Sequence, residues 1–375
     1  MKKKICAITG TRADYGLLRP VLNAITKDEN LDLYVLVAGM HLMPEFGYTI
    51  DEVRKDNFKH EGLKVTQKDD TKTSMAMYVS GCVTGVTDSI KRNNPDIMLL
   101  LGDRAEMLGA AVSAAYSGIA IAHLRGGEIT STIDNPARHA ISKFAHIHLV
   151  SNTNSVKYLE KIGEDPKRIF IVGDPGLDQI VNGDYTNKEE IKRKYNLKDD
   201  NILLLLQHSV TNEIEEAPIQ IKETLEAIID SGLKTIVIYP NADPGGRKMI
   251  EVIKSYENKE NIIIYQNIPR KDFLGLMSIA NAIIGNSSCG ITEAPEFKLP
   301  AINIGTRQYG REQSENVINV GYKKEEILGA INYIIINEFK NKIKDCKSKY
   351  GDGKTGPRVA KILSELEING EFLQK

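Results

Sequence analysis

The sequence has no surplus of charge of either sign: 49 Lys and Arg stand against 50 Asp and Glu, a net charge of −1. This excludes a global basic field for nucleic acid or an anionic membrane, so an anionic ligand has to be met by a local cluster of cations. No apolar run reaches the ~20 residues that a membrane span needs. The start, Met-Lys-Lys-Lys before Ile5–Ile8, resembles a secretory leader only superficially, because Thr9, Gly10, Thr11, Arg12 and Asp14 break the apolar stretch. Cysteine is scarce and scattered (Cys6, Cys82, Cys289 and Cys346), with no CxxC metal spacing. A disulfide framework is not expected in a chain of this size. The expectation is a cytoplasmic protein without a metal centre. Low-complexity linkers and short internal repeats are also missing.

What is present is an ordinary globular composition, 41% hydrophobic and 26% charged, which argues against disorder. At 375 residues the chain exceeds the size at which one core stops growing, so two domains are expected. Short apolar runs alternate with amphipathic stretches. In the first half the strand candidates are Ile5–Thr9, Leu31–Ala38, Ile97–Leu101, Ile119–His123 and Ile147–Val150. The helix candidates between them are Leu17–Thr26, Ser74–Arg92, Ala105–Tyr116 and Pro136–Phe144. The pattern restarts after about residue 175, with strands at Asn201–Gln207, Thr235–Tyr239, Ile262–Tyr265, Ala282–Ile284 and Ala301–Ile304. Helices are expected at Ile214–Asp230, Gly246–Tyr256, Arg270–Ala280, Glu325–Ile335 and, in the tail, Pro357–Glu367. Gly173-Asp-Pro-Gly176 marks the boundary and the charged stretch Asn187–Asp200 opens the second half. Strands that are apolar throughout imply parallel sheets buried on both faces, and repeated βα units imply a doubly wound α/β fold.

In such sheets ligands bind beyond the carboxyl ends of the strands. The first strand runs into Thr9-Gly-Thr-Arg-Ala-Asp-Tyr-Gly16. This is either a tight βα turn or an anion site built from backbone N–H groups, with Arg12 adding a cation. It has neither the P-loop Gly-Lys-Ser/Thr nor the GxGxxG of a dinucleotide fold. The third strand exits into Gly102-Asp-Arg-Ala-Glu106, where Asp103 can cap the following helix, enter a ligand site, or do both. His123-Leu-Arg-Gly-Gly-Glu-Ile-Thr-Ser-Thr-Ile-Asp-Asn135 places Glu128 and Asp134 six residues apart on an expected loop. Two carboxylates in one site can divide acid and base duties. His146 and His148, at strand spacing with no completing ligand, read as structural.

In the second half, His208 follows an apolar strand, where it can be a satisfied strand-end histidine or act on a proton or a phosphate. Ile284-Gly-Asn-Ser-Ser-Cys-Gly-Ile-Thr-Glu293 is the most informative stretch: a strand, small polar residues, then a helix carrying Glu293. Hydroxyls and N–H groups there suit a diphosphate, and a carboxylate suits two vicinal ribose hydroxyls. The spacing does not match the GxSxG of a hydrolase elbow. Arg307 and Arg311 are further candidate cations.

Taken together, GTRADYG, GDRAE, RGGEITSTIDNPARHAISK, LQHSVT, YPNADPGG, IGNSSCGITE, GTRQYGRE and YGDGK, in that order, resemble the hydrolysing UDP-N-acetylglucosamine 2-epimerases nearly end to end. The resemblance implies a GT-B fold: two Rossmann-like domains with an active-site cleft between them. The domains would be 1–174, with the C-terminal helix 356–375 packing back on it, and a UDP-binding domain at 175–355. It implies a homodimer or homotetramer and no cofactor. Carried over residue by residue, Ser287, Ser288 and Gly290 meet the diphosphate, Glu293 holds the ribose, and Arg12, Gly16 and Arg307 lie near the nucleotide. Asn241 and Asp243 line the site. Asp103, Glu128, Asp134 and His208 match the catalytic positions, with Arg104 and His139 in support.

The implied chemistry has two stages. The C2 proton is removed as UDP leaves C1, giving a glycal; water then adds and a proton reaches the opposite face of C2, releasing N-acetylmannosamine. A carboxylate of the Glu128/Asp134 pair serves as base, Asp103 as the other acid/base group, and His208 orients or protonates phosphate. Competing readings are the same reaction on a UDP-2,4-diacetamido-2,4,6-trideoxyhexose, a non-hydrolysing epimerase, a glycosyltransferase, and a catalytically silent sugar-nucleotide sensor.

Overall fold

The computed structural model describes residues 2–69, 71–131, 133–197 and 201–375. Thr132, within the expected carboxylate loop, and residues 198–200, at the end of the charged stretch, lie outside the described residues. The chain divides into two compact units. Unit 1 comprises Met1–Ile129, Ile133–Asp178 and Tyr350–Lys375; unit 2 comprises Thr130–Thr132 and Gln179–Lys349.

Unit 1 is built on a seven-stranded, all-parallel sheet of β1 (Lys3–Thr9), β2 (Leu31–Val37), β3 (His60–Gly62), β4 (Ile97–Leu101), β5 (Ala120–Leu124), β6 (Ile147–Val150) and β7 (Ile169–Ile171). Its order is β3-β2-β1-β4-β5-β6-β7, so the chain winds outward from β1 in both directions. Alternate residues of one strand feed opposite faces. Ile5, Ala7, Val35 and Leu99 pack on one side with the helices Arg12–Lys27 and Thr355–Glu365, while Cys6, Ile8, Leu36, Met98 and Leu100 pack on the other with Ala105–Tyr116. Both faces are dry, which is why these strands are apolar at every position. The terminal segment is tied to the start of the chain: Lys3 Nζ donates to the carbonyls of Leu363 (2.7 Å), Ser364 (3.0 Å) and Leu366. Buried Glu164 receives Lys143 (2.8 Å), Lys375 (2.5 Å) and the Nε2 of His148 (2.9 Å). Burial holds the His148 pKa down, so this ring is a neutral donor at pH 7.

Unit 2 repeats the plan with six parallel strands: β8 (Ile202–Leu206), β9 (Lys234–Ile238), β10 (Ile262–Tyr265), β11 (Ala282–Gly285), β12 (Ala301–Ile304) and β13 (Val317–Val320), in the order β10-β9-β8-β11-β12-β13. Strands β3, β7 and β13 were not expected from the sequence. All three are edge strands, short and mostly half-exposed, so no continuous apolar run announces them. The two switch points, between β1 and β4 and between β8 and β11, are where the loops carrying the candidate residues emerge. All four cysteines are free and buried, and among the described residues no helix is long and apolar enough to cross a membrane.

Candidate active site

In unit 1 the Gly-rich turn after β1 is closed by its own side chains. Thr11 and Asp14 form a capping box, and the N–H groups of Gly10 (3.3 Å) and Thr11 (2.9 Å) both donate to the Asp14 carboxylate. Of the two readings of this turn, the structure shows the tight βα turn, in which the first main-chain donors serve a residue of the turn itself. Arg12 is the first residue of its helix and half-buried, while Gly16 is buried one turn further in. Arg104 Nε donates to Glu106 (2.9 Å), which is fully buried. Burial raises the pKa values of both Glu106 and Asp14, and the Arg104 charge opposes the rise in each. The Arg104 charge is therefore engaged by acids of its own unit.

Asp103 does not cap the helix that follows. That helix, Ala105–Tyr116, has Arg104 at its N-cap without a side-chain cap bond, and Asp103 is instead paired with Arg138. Its backbone is pinned from behind, because buried His123 donates from Nε2 to the Gly102 carbonyl (2.7 Å). A proton on Nε2 is the neutral tautomer, consistent with burial driving the His123 pKa to about 3. Asp134 is also corrected: it is not on a loop but is the first residue of the helix Asp134–Phe144, half-buried, where a helix N-terminus favours a carboxylate. His139, on the same helix, stacks on Tyr158 with ring centroids 4.4 Å apart. Burial and then Arg138 lower its pKa, so it is neutral at pH 7.

Glu128 lies on the Arg-Gly-Gly-Glu turn after β5. Arg125 takes a left-handed backbone (φ 60°), and Gly127 (φ 76°) could not carry a Cβ, which would come within 2.5 Å of the Ser155 carbonyl. The turn drops Glu128 into a buried set of donors. Its Oε1 accepts from Arg125 Nε (3.1 Å) and Ser151 Oγ (2.9 Å), and its Oε2 from Arg125 Nη2 (3.1 Å) and Arg138 Nη1 (3.1 Å). Arg125 also pairs with Asp174 (3.3 Å). The result is a line of alternating charge: Asp174, Arg125, Glu128, Arg138, Asp103. Motif reading did not single out Arg138, Ser151 or Asp174. The Gly173-Asp-Pro-Gly176 segment, read as punctuation, in fact supplies a fully buried carboxylate. Arg138 lies four residues after Asp134, on a helix that the sequence did foresee, and that spacing was the one available signal.

In unit 2 the switch-point loop follows β11. Gly285 (φ 123°) leaves no room for a Cβ, which would meet the Leu206 carbonyl at 2.2 Å. This close approach seats Asn286 against the end of β8: its Oδ1 accepts from His208 N (2.7 Å) and its Nδ2 donates to His208 O (2.8 Å). The Asn286 carbonyl accepts from Arg307 Nη1 (3.1 Å) and Gln308 Nε2 (2.7 Å). His208, Ser287, Ser288 and Arg307 are thus gathered around one buried asparagine. His208 Nδ1 accepts from the Asn241 N–H (3.2 Å), so its neutral ring carries the proton on Nε2. Asn241 and Asp243 lie on the loop after β9, both half-buried. Ser287 and Ser288 are half-buried and Gly290 is buried. The helix expected to carry Glu293 is a single turn, Cys289–Thr292, with Glu293 as its C-cap, so little helix dipole is available and donors must come from the loop itself. Glu293 is buried and held by Arg270, one bond of which is 3.1 Å. Arg270 had no sequence signal, because its partner is 23 residues away. Arg311, the further cation expected from the sequence, is buried in the same unit. Among the described residues no three His, Cys, Asp or Glu side chains are grouped to hold a metal ion.

A sequence profile described as UDP-N-acetylglucosamine 2-epimerase matches residues 23–364. The chain belongs to that family. A UDP-N,N'-diacetylbacillosamine 2-epimerase (hydrolyzing) of Legionella pneumophila is 37% identical, with 100% of this chain and 99% of the relative aligned. A UDP-N-acetylglucosamine 2-epimerase of Neisseria meningitidis is 36% identical over 88% of this chain and 86% of its own. In structure, the Neisseria meningitidis UDP-GlcNAc 2-epimerase bound to UDP-GlcNAc superposes with a TM-score of 0.81 at 18% identity, covering 96% of this chain and 99% of that one. The fold is the GT-B arrangement of two parallel-sheet α/β domains, and this UDP-sugar 2-epimerase is an enzyme.

Proposed function

We propose that this epimerase is of the hydrolysing type and acts on UDP-N,N'-diacetylbacillosamine, the 2,4-diacetamido-2,4,6-trideoxy sugar. The observation that carries the reading is the end-to-end match to a relative bearing that name. The second reading, UDP-N-acetylglucosamine as substrate, is favoured by the Neisseria meningitidis relative at nearly the same identity. A cytoplasmic location and a homodimer or homotetramer belong to the same proposal.

In this mechanism the C1–O bond breaks and its electron pair leaves with UDP. The C2 proton passes to a carboxylate, and the C2–H electrons become the C1=C2 bond of a glycal. Water then adds its oxygen to C1, and a proton is delivered to the opposite face of C2. The balance is UDP-sugar plus water to UDP plus the free epimer. Ser287, Ser288 and Gly290 receive the diphosphate, with Arg12 and Arg307 as cations. Glu293, steadied by Arg270, takes the ribose. Asn241 and Asp243 border the sugar-nucleotide, and Arg104 and His139 support the acid/base groups. His208 presents its Nε2 proton to phosphate, stabilising the leaving group as charge develops. Asp103 and Asp134 exchange protons with the sugar. Glu128, enclosed by two arginines, holds the site's geometry rather than taking the proton itself.

The test is turnover in H2(18)O and D2O followed by NMR and mass spectrometry. The expected products are a free 2-epimeric sugar with deuterium at C2 and (18)O at C1, and unlabelled UDP. Intact epimerised UDP-sugar would instead identify a non-hydrolysing enzyme. Turnover of UDP-N-acetylglucosamine with none of the diacetamido sugar would establish the second reading.

A further inference from the structure

The charge line in unit 1 alternates three carboxylates with two guanidinium groups, so each guanidinium stands between two acids. Burial decides which of the acids can be used. Side-chain exposure is 0% for Asp174, 8% for Arg125, 3% for Glu128 and 4% for Arg138, but 17% for Asp103. Asp103 is the most accessible member and stands at the end of the line, next to Arg138. Arg138 reaches both neighbours at once through different nitrogens, Nη1 to Glu128 and Nη2 to Asp103. A planar guanidinium held at one nitrogen by a buried acid is fixed in orientation, and so fixes what the other nitrogen binds.

We propose that Arg138 is a positioning residue for the epimerase reaction: anchored on buried Glu128, it holds the Asp103 carboxylate in one orientation and in its charged form. Glu128 then acts through Arg138, and Asp103 is the member of the line that meets the sugar. The inference rests on the acid/base reading given above. His123 supports it by locking the Gly102 carbonyl immediately before Asp103. The same placement explains the need for Arg125, which faces both Asp174 and Glu128 and shares Glu128 with Arg138, so that the other Arg138 nitrogen is left for Asp103.

Wild-type turnover of the UDP-2-acetamido sugars is measured first, then Arg138→Met, Arg138→Lys, Asp103→Asn and the double variant Asp103→Asn/Arg138→Met. In Arg138→Met, kcat should fall ~100-fold, the cost of a misplaced group, with KM within about threefold. The acid limb of its kcat/KM profile should move to higher pH by about one unit or more, because a carboxylate that loses a neighbouring cation gains a proton more easily. Arg138→Lys, which keeps the charge, should hold the acid limb near its wild-type position and recover roughly tenfold of the lost kcat. The double variant should be no slower than Asp103→Asn alone, since Arg138 acts through Asp103. Three results would each overturn the proposal: Arg138→Met with kcat within about threefold of wild type, a loss of kcat with an unmoved acid limb, or additive losses in the double variant. If circular dichroism shows Arg138→Met unfolded, Arg138→Lys and Asp103→Asn/Arg138→Lys take the places of the two Met variants, and a loss of kcat in Arg138→Lys that adds to that of Asp103→Asn would overturn the proposal. A wild type that releases no UDP from any such sugar fails at the first step: that outcome removes the proposed function and this inference with it, whereas an active wild type with an indifferent Arg138 removes only the inference.

Discussion

Glu128→Gln separates two jobs that one carboxylate could hold. As a free base, Glu128 could lose its charge with little effect on the fold. As the centre of the buried line, its removal leaves Arg125 and Arg138 facing an amide. Four donors converge on the wild-type oxygens. The single amide oxygen can serve only one side; on the other, an NH2 group meets guanidinium donors. Ser151 can rotate its hydroxyl to accept, but an arginine cannot. Removing one partner of a buried pair costs ~3–5 kcal/mol. For a unit of about 150–250 residues each kcal/mol corresponds to ~2–4 °C, so the unit 1 transition should drop by roughly 6–20 °C. Calorimetry of both proteins with and without UDP reads this, alongside kcat on the proposed substrate, which should fall ~100-fold or more. A Tm within ~2 °C of wild type would refute the anchoring role and return Glu128 to the free-base reading. Normal turnover would remove it from the mechanism altogether.

Three further outcomes follow from the geometry. Burial raises the Glu164 pKa, but hydrogen bonds from His148, Lys143 and Lys375 outweigh it and bring the value to about 2; the stabilisation is therefore complete above the ordinary carboxylate range near pH 4.5 and lost as pH falls toward 2. Urea titrations from pH 6 to 3 should show stability dropping only below about 4.5, and Glu164→Gln should flatten that slope. Arg270→Ala leaves the buried Glu293 carboxylate without its guanidinium partner, so calorimetric titration should give a UDP Kd weakened about tenfold or more; unchanged affinity would remove Glu293 from the ribose. Gly285→Ala forces a Cβ onto the Leu206 carbonyl and should cost well over ~1 kcal/mol in chemical denaturation, with UDP binding weakened because the Asn286 seat shifts.

The interior strands were legible because a parallel sheet buried on both faces writes itself as unbroken apolar runs. Ile97–Leu101, Ile147–Val150 and Ala301–Ile304 fall where the runs do. Edge strands such as His60–Gly62 carry no such run. The loops at the switch points were legible from glycines and acids that follow a strand. Their internal pairing was not. Nothing local distinguishes an Asp103 that caps a helix from one held by Arg138. That outcome depends on a neighbour 35 residues away and on burial that only the folded sheet creates.

The order in which this chain can fold is constrained by the segment that leaves unit 1 near Asp178 and re-enters it at Tyr350. The helix Thr355–Glu365 covers the first helix, and Lys3 caps the end of that helix some 360 residues downstream. During synthesis the sheet of unit 1 and the helix Arg12–Lys27 can assemble early, but the side of that helix that Thr355–Glu365 covers stays exposed until the late segment has been made. Unit 2, which is almost continuous in sequence, can finish first. A ribosome stalled before Thr355 would therefore carry a nascent chain with a closed second unit and a first unit still exposing the apolar side of Arg12–Lys27, the state most in need of a chaperone.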